Sequence, residues 1–150
     1  MRKRTQAREC ALKILYEQDI RHGFADEQDS QSRQAFWRAH YVAEDIRFFA
    51  NQLVEGTLSH LPQIDPLISQ YAQHWDIKRM AVVDRNILRM GVFELLHMDE
   101  VPPKVAINEA IELAKRFGDA ESALFINGIL DAIHKAHALK QPLTDGINES

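Results

Sequence analysis

The chain has 150 residues, 45% of them hydrophobic, with a formal net charge of -4 and a mean hydropathy of -0.34. That length suffices for one hydrophobic core without staples, and the net charge argues against a surface that grips nucleic acid indiscriminately. No uninterrupted apolar run is long enough to span a membrane, and the single cysteine, Cys10, permits no internal disulfide, which fits a reducing cytoplasm.

The N-terminal MRKRTQARECALKIL is basic and then apolar, but Arg8, Glu9, Lys13 and Glu17 interrupt the apolar part, so a secretory signal is a poor reading. The spacing predicts a helix from near Thr5 to about Arg21, with Ala7, Cys10, Ala11, Ile14 and Leu15 inward. Gly23 to Ser32 reads as polar and turn-like, with Asp26, Glu27 and Asp29 forming an acidic segment. A short helix follows through Ala35, Phe36, Trp37 and Ala39. Another runs roughly from Ala43 to Leu58, with Ile46, Phe49, Ala50, Leu53 and Val54 on one side. Pro62 is expected to break it, and Asp65-Pro66 to start the next helix, which holds Leu67, Ile68 and Tyr71.

Asp76 then precedes one long predicted helix through Met98. Its seam is Met80, Val83, Ile87, Gly91, Leu95 and Met98. Gly91 costs about 1 kcal/mol of helix propensity relative to alanine, and close approach of a neighbouring helix is the expected compensation. Pro102-Pro103 ends that helix and suits the first turn of the next, where Ala106, Ala110, Ile111, Ala114 and Phe117 recur at helical spacing. Gly118 stands where a helix end favours a residue tolerant of positive φ. Asp119 is placed to cap the last helix, whose apolar residues are Leu124, Phe125, Ile129, Leu130 and Ile133. No period-two strand pattern and no internal repeat is present, so the fold class is all-α.

Two basic groups are the functional candidates. Arg2, Lys3, Arg4 and Arg8 crowd the start of the first helix, with Arg4 and Arg8 on one face. Positive charge there opposes the helix dipole by about 0.3–1 kcal/mol per exposed charge, and an anionic partner offsets it; a frayed, solvated terminus is the bland alternative. Tyr16 lies close to the same face and either stacks an unpaired base or is half buried in the core. The second group is Lys78, Arg79, Arg85 and Arg89, with Tyr71 upstream. Arg85 and Arg89 share a face and either extend a phosphate track or pair with Asp84, Glu94 or carboxylates of another helix.

Chemistry-bearing patterns are sparse. Cys10 sits in an alanine and isoleucine stripe and reads as a small hydrophobe. Asp131, His134 and His137 have helical spacing that suits a metal, but no further ligand pattern accompanies them. Glu109 and Glu112 read as carboxylates on a solvated helix. There is no glycine-rich phosphate loop, so no catalytic residue, cofactor or metal is expected.

Three stretches carry a resemblance. VPPKVAINEAIELAKRFGDAESALFINGILD, from Val101 to Asp131, resembles the signature of the NusB family of bacterial transcription antitermination factors almost residue for residue. ARECALKILYEQDI, from Ala7 to Ile20, is similar to that family's first helix, and DRNILRMGVFELL, from Asp84 to Leu96, to its central helix. The residues between about Gly23 and Tyr41 match poorly. The resemblance implies about seven helices in two packed helical subdomains, making a single RNA-binding domain over residues 1–150. It implies a non-enzymatic adaptor in the cytoplasm. Such a protein binds the boxA element of nascent ribosomal RNA together with ribosomal protein NusE, and helps the RNA polymerase elongation complex resist termination.

By the same resemblance, RNA contacts fall on Arg8, Tyr16, Tyr71 and Arg89, added to Arg2, Lys3, Arg4 and Arg85 from the basic groups. Glu121 and Phe125 match partner-contact positions. Leu124 stands where the family often has a basic residue, which makes that partner surface more apolar. Asn127-Gly128 falls inside the last helix and reads as a close-packing point. The competing reading is the N-terminal RNA-binding domain of a ribosomal-RNA cytosine methyltransferase. A purely structural homodimer would leave the basic pole without a reason.

Overall fold

Apolar residues three and four apart place Ala7, Ala11, Ile14 and Leu15 on the buried side of the first helix, α1 (Lys3–His22). In the computed structural model, which describes residues 2–22, 24 and 29–140, six further α-helices follow. They are α2 (Asp29–Ala39), α3 (Glu44–Ser59), α4 (Leu61–Tyr71), α5 (Val82–His97), α6 (Pro103–Phe117) and α7 (Ser122–Lys140). No strand occurs among the described residues. Helices α1 to α3 pack together, α4 to α7 pack together, and α5 lies against helices of both groups. Ile87, Leu88, Met90 and Val92 of α5 are buried, so this helix is the spine of the core.

The structure moves three predicted boundaries. Helix α2 takes in Asp29 to Ser32; Gln31 is exposed on this helix, whose Phe36 and Trp37 are buried. Helix α4 starts at Leu61, not at Asp65: Pro62 sits in its first turn, where no intrahelical N–H is needed, and Pro66 is carried inside. His60 serves both neighbours. Its N–H donates to the Gly56 and Thr57 carbonyls of α3, and its carbonyl accepts from Gln63 and Ile64 of α4. The long helix predicted from Asp76 is divided in two. Asp76 caps a single 3-10 turn (Ile77–Arg79) by accepting from the Lys78 N–H, Met80 and Ala81 are extended, and α5 begins only at Val82.

Glycines decide how closely the helices approach. A Cβ on Gly91 would lie 2.9 Å from Leu130 Cδ1, so α7 crosses α5 at the predicted glycine. Gly56, which the sequence reading passed over, is tighter still: a Cβ there would lie 2.0 Å from the tip of the Phe93 ring. That ring lies against His60 and His97, with centroids 5.6 and 5.7 Å away, and the two imidazoles stack on each other at 4.0 Å. Two expectations fail. Gly118 has φ -92°, not a positive value, and is small because a Cβ would meet the Ser122 hydroxyl at 2.5 Å and the Ala114 carbonyl at 2.8 Å. Gly128 is no packing point, for nothing lies within 4 Å of its Cβ position.

These contacts give opposite signs for one substitution. Gly56→Ala should lose about 1–3 kcal/mol of stability through overpacking against Phe93. Gly128→Ala should gain up to about 1 kcal/mol of helix propensity in the free protein. Urea unfolding of the two variants beside the parent measures both.

Candidate nucleic-acid interface

Arg8 is on the inward face of α1 and is 2% exposed. Its Nη2 donates to Glu94 Oε1 at 2.6 Å, and its Nε donates to both Glu94 oxygens at 3.0 and 3.1 Å. Its Nη1 reaches Glu109 Oε1 at 3.2 Å, which also accepts the Thr5 hydroxyl at 2.6 Å. The guanidinium thus ties α1 to α5 and α6. Burial pushes the Glu94 carboxyl up from its ordinary range, against the pull of Arg8. A phosphate cannot reach a guanidinium enclosed in this way, so the structure removes Arg8 from the exposed basic cluster.

The second basic group folds into a similar network. Asp19 of α1 accepts from Arg85 Nε and Nη2, both at 2.7 Å, from Asn86 Nδ2 at 2.8 Å and from Arg89 Nη1 at 3.0 Å. Arg89 also donates to both oxygens of Asp65 on α4, at 2.9 and 3.0 Å. Arg85 and Arg89 therefore pair with carboxylates of other helices, and with neither Asp84 nor Glu94. Arg89, at 6% exposure, has no open face for a phosphate track. Burial alone would raise Asp19. The hydrogen bonds from Arg85 and Asn86, with the charges of Arg89 and Arg85, outweigh it and hold the carboxyl below its ordinary value. Lys78 and Arg79 stay exposed on the 3-10 turn.

Arg2, Lys3 and Arg4 are the members of the cluster left in solvent. Lys3 Nζ meets Asp45 Oδ2 at 2.9 Å in an exposed pair, and the Arg4 guanidinium lies 4.4 Å from the centre of the Phe49 ring. Three grooves among the described residues flank them. One, of about 800 Å³ between α1 and α6, is lined by Arg2, Thr5, Glu9, Asn108, Lys115 and Arg116 among others. A second, of about 360 Å³ at the start of α6, is lined by Arg2, Lys3 and Arg4 with Val101, Pro102 and Val105 among others. The third, of about 310 Å³ between α1 and α3, is lined by Lys3, Arg4, Asp45, Ile46, Phe48, Phe49 and Gln52. Phe48 is 65% exposed there, an aromatic at the basic pole that the sequence reading missed. Of the adjacent pair Phe48-Phe49 only one can face the core, and that pairing was the available signal.

The tyrosines lie elsewhere. Tyr16 is 39% exposed in an apolar groove of about 400 Å³ with Leu12, Ile20, Val83 and Phe117. It is twelve residues along α1 from Arg4, about 18 Å at 1.5 Å per residue. Tyr71 is half buried against the core. At the start of α7, Glu121 and Leu124 are exposed, Leu124 strongly so, while Phe125 is half buried and meets Trp75 edge-on at 5.4 Å. Ahead of the helix, Asp119 accepts from the Glu121 N–H and the Ser122 hydroxyl, and its own N–H donates back to that hydroxyl. Cys10 is buried, which pushes its thiol up and leaves it a packing residue. Among the described residues no three histidine, cysteine or acidic side chains are grouped to hold a metal; Asp131 pairs with Lys135.

An all-α frame with a solvated cationic pole and an exposed apolar edge at the start of α7 is the class this geometry defines. The sequence model of the NusB family matches residues 5–135, and the chain belongs to that family. The transcription antitermination protein NusB of Thermodesulfovibrio yellowstonii is 43% identical, with 89% of this chain and 92% of that one aligned. That of Myxococcus xanthus is 41% identical over 93% and 98% of the two chains. Among solved structures, NusB of T. maritima superposes with a TM-score of 0.76 at 36% identity, covering 88% and 90%. A complex of antitermination factors NusB and NusE with double-stranded RNA superposes at 0.80 with 31% identity, covering 91% and 98%.

The Asp19 network carries a pH signature. Because its folded pKa is depressed, its contribution is complete above the unfolded value of about 4 and disappears as pH falls through the folded value. Asp19→Asn should cost about 3 kcal/mol at pH 7, the lower end for a broken buried pair because Arg89 keeps Asp65. The difference from the parent should shrink below about pH 4, which chemical unfolding at a series of pH values will record.

Proposed function

We propose that this chain is a non-enzymatic RNA-binding adaptor of transcription antitermination. It binds boxA of nascent ribosomal RNA together with ribosomal protein NusE and acts with the RNA polymerase elongation complex in the cytoplasm. The observation that carries this reading is the solvated trio Arg2, Lys3 and Arg4 on a chain of net charge -4, in which Arg8, Arg85 and Arg89 are internally paired. Relatives matched over most of their length are named for antitermination, and a structural neighbour holds NusE and RNA. Both support this reading over the methyltransferase one.

The division of labour follows from exposure. Arg2, Lys3 and Arg4 make phosphate contacts, which position the RNA without reading its sequence. Tyr16 is open to a base or to a partner side chain. Arg8, Arg85, Arg89 and Tyr71 act by holding the helices that present these groups. Glu121, Leu124 and Phe125 form the NusE-facing edge, with Trp75 extending it. Leu124 puts an aliphatic side chain where a charge would otherwise sit, and a buried apolar centre is what protein interfaces favour.

Anisotropy titration of single-stranded boxA RNA at fixed salt tests the adaptor model. The free protein should bind weakly, and saturating NusE should tighten binding by at least tenfold, about 1.4 kcal/mol of coupling. Identical affinity with and without NusE would contradict it.

A further inference from the structure

Resting on that RNA-binding reading, we propose that Phe48 of α3 stacks an unpaired RNA base whose phosphates rest on Lys3 and Arg4. Phe48 and Phe49 are adjacent, so α3 turns them to different sides. Phe49 is buried at 5% exposure and carries Arg4 on its face, whereas Phe48 stands 65% exposed in the groove that Lys3 and Arg4 line. The other apolar side chain of that groove, Ile46, is buried at 6% exposure. The apolar surface on offer is therefore one ring beside two cations. A protein partner's interface is broader than one ring, whereas an unpaired nucleotide presents one planar base and a phosphate on either side.

The cations are available. Among the described residues Lys3 pairs with Asp45 alone, in an exposed ion pair with side-chain exposures of 71% and 58%, and such pairs contribute little against a competing phosphate. Arg4 lies over Phe49, 4.4 Å from the ring centre, which holds the guanidinium near the groove, and its side chain is exposed. Tyr16 cannot serve the same nucleotide. At about 18 Å along α1 from Arg4, it lies several nucleotides away.

The test uses the full chain and single-stranded boxA RNA, with anisotropy for affinity and 2-aminopurine placed at successive positions to report stacking. Phe48→Ala should weaken binding about 5- to 150-fold, the usual effect of losing one stacked base, with an unchanged salt slope and an unchanged melting temperature. One 2-aminopurine position should lose its quenching in that variant. Phe48→Trp should restore affinity, and Phe48→Leu should not, because it returns apolar area without an aromatic face. Duplex RNA of the same sequence, whose bases are already stacked, should bind both proteins alike. If the parent binds the single strand and Phe48→Ala binds it equally, the stacking role is overturned while the RNA reading stands. If the parent binds no RNA, the RNA reading itself fails. A variant that loses self-association or NusE binding but keeps RNA affinity would assign the ring to a protein contact and overturn the proposal.

Discussion

The enclosure of Arg8 by Glu94 and Glu109 is the constraint on which the arrangement of this protein depends. Apolar contacts between helices can slide by a fraction of a turn at small cost. A guanidinium fork closed on a carboxylate at 2.6 to 3.1 Å cannot, because its planar donors meet that pair of oxygens in few geometries. Buried ion pairs add little net stability relative to a well-packed apolar core, but breaking one costs about 3–5 kcal/mol. Their effect here is to fix the register of α1 against α5 and α6. That register places Arg2, Lys3 and Arg4 beyond the last buried turn, where the chain offers Lys3 an exposed carboxylate, Asp45, and Arg4 the face of Phe49.

The charge distribution follows the same logic at the other end of α1. Asp19 collects Arg85, Asn86 and Arg89, and Asp65 completes the pairing. The arginines that could have widened the basic surface are thus consumed by the fold. Lys78 and Arg79 stay exposed on the 3-10 turn, and at the start of α1 what remains is the compact group Arg2, Lys3 and Arg4. Helix α1 has no acidic residue in its first turn, whereas α3 opens with Glu44 and Asp45, the sign its dipole favours. Asp45 lends its carboxylate to Lys3 across the groove, a partial remedy that a phosphate can replace. A helix start that is mildly wrong for stability and lies next to an exposed aromatic is a local inconsistency of the kind that marks binding sites.

Much of the fold was legible because helical spacing reports burial directly. Ala7, Ala11, Ile14 and Leu15 of α1 and Ile129, Leu130 and Ile133 of α7 are buried as their periodicity demands. The seam glycine Gly91 meets Leu130 as expected. Boundaries were less legible where proline and capping compete. Pro62 reads equally as a break and as a first-turn residue, and the extended Met80-Ala81 step is invisible to a seam that keeps its period across it. The candidate site was legible only in outline. A run of arginines does not reveal which of them meet a carboxylate from a helix far along the chain, so Arg8, Arg85 and Arg89 looked alike with Arg4. Nor does periodicity show which way Phe48 turns relative to Lys3, since that depends on how α3 crosses α1.

The central claim is that three exposed cations, and none of the buried arginines, carry the electrostatic part of RNA binding. Its most direct test is the slope of log affinity against log salt for single-stranded RNA, in the parent and in a variant with Arg2, Lys3 and Arg4 replaced by glutamine. Counting one phosphate for each, at about -0.7 per contact, the substitution should flatten the slope by about 2 and weaken unrelated RNA sequences alike. A folded variant with an unchanged slope would contradict the account and place the phosphate track elsewhere on the molecule.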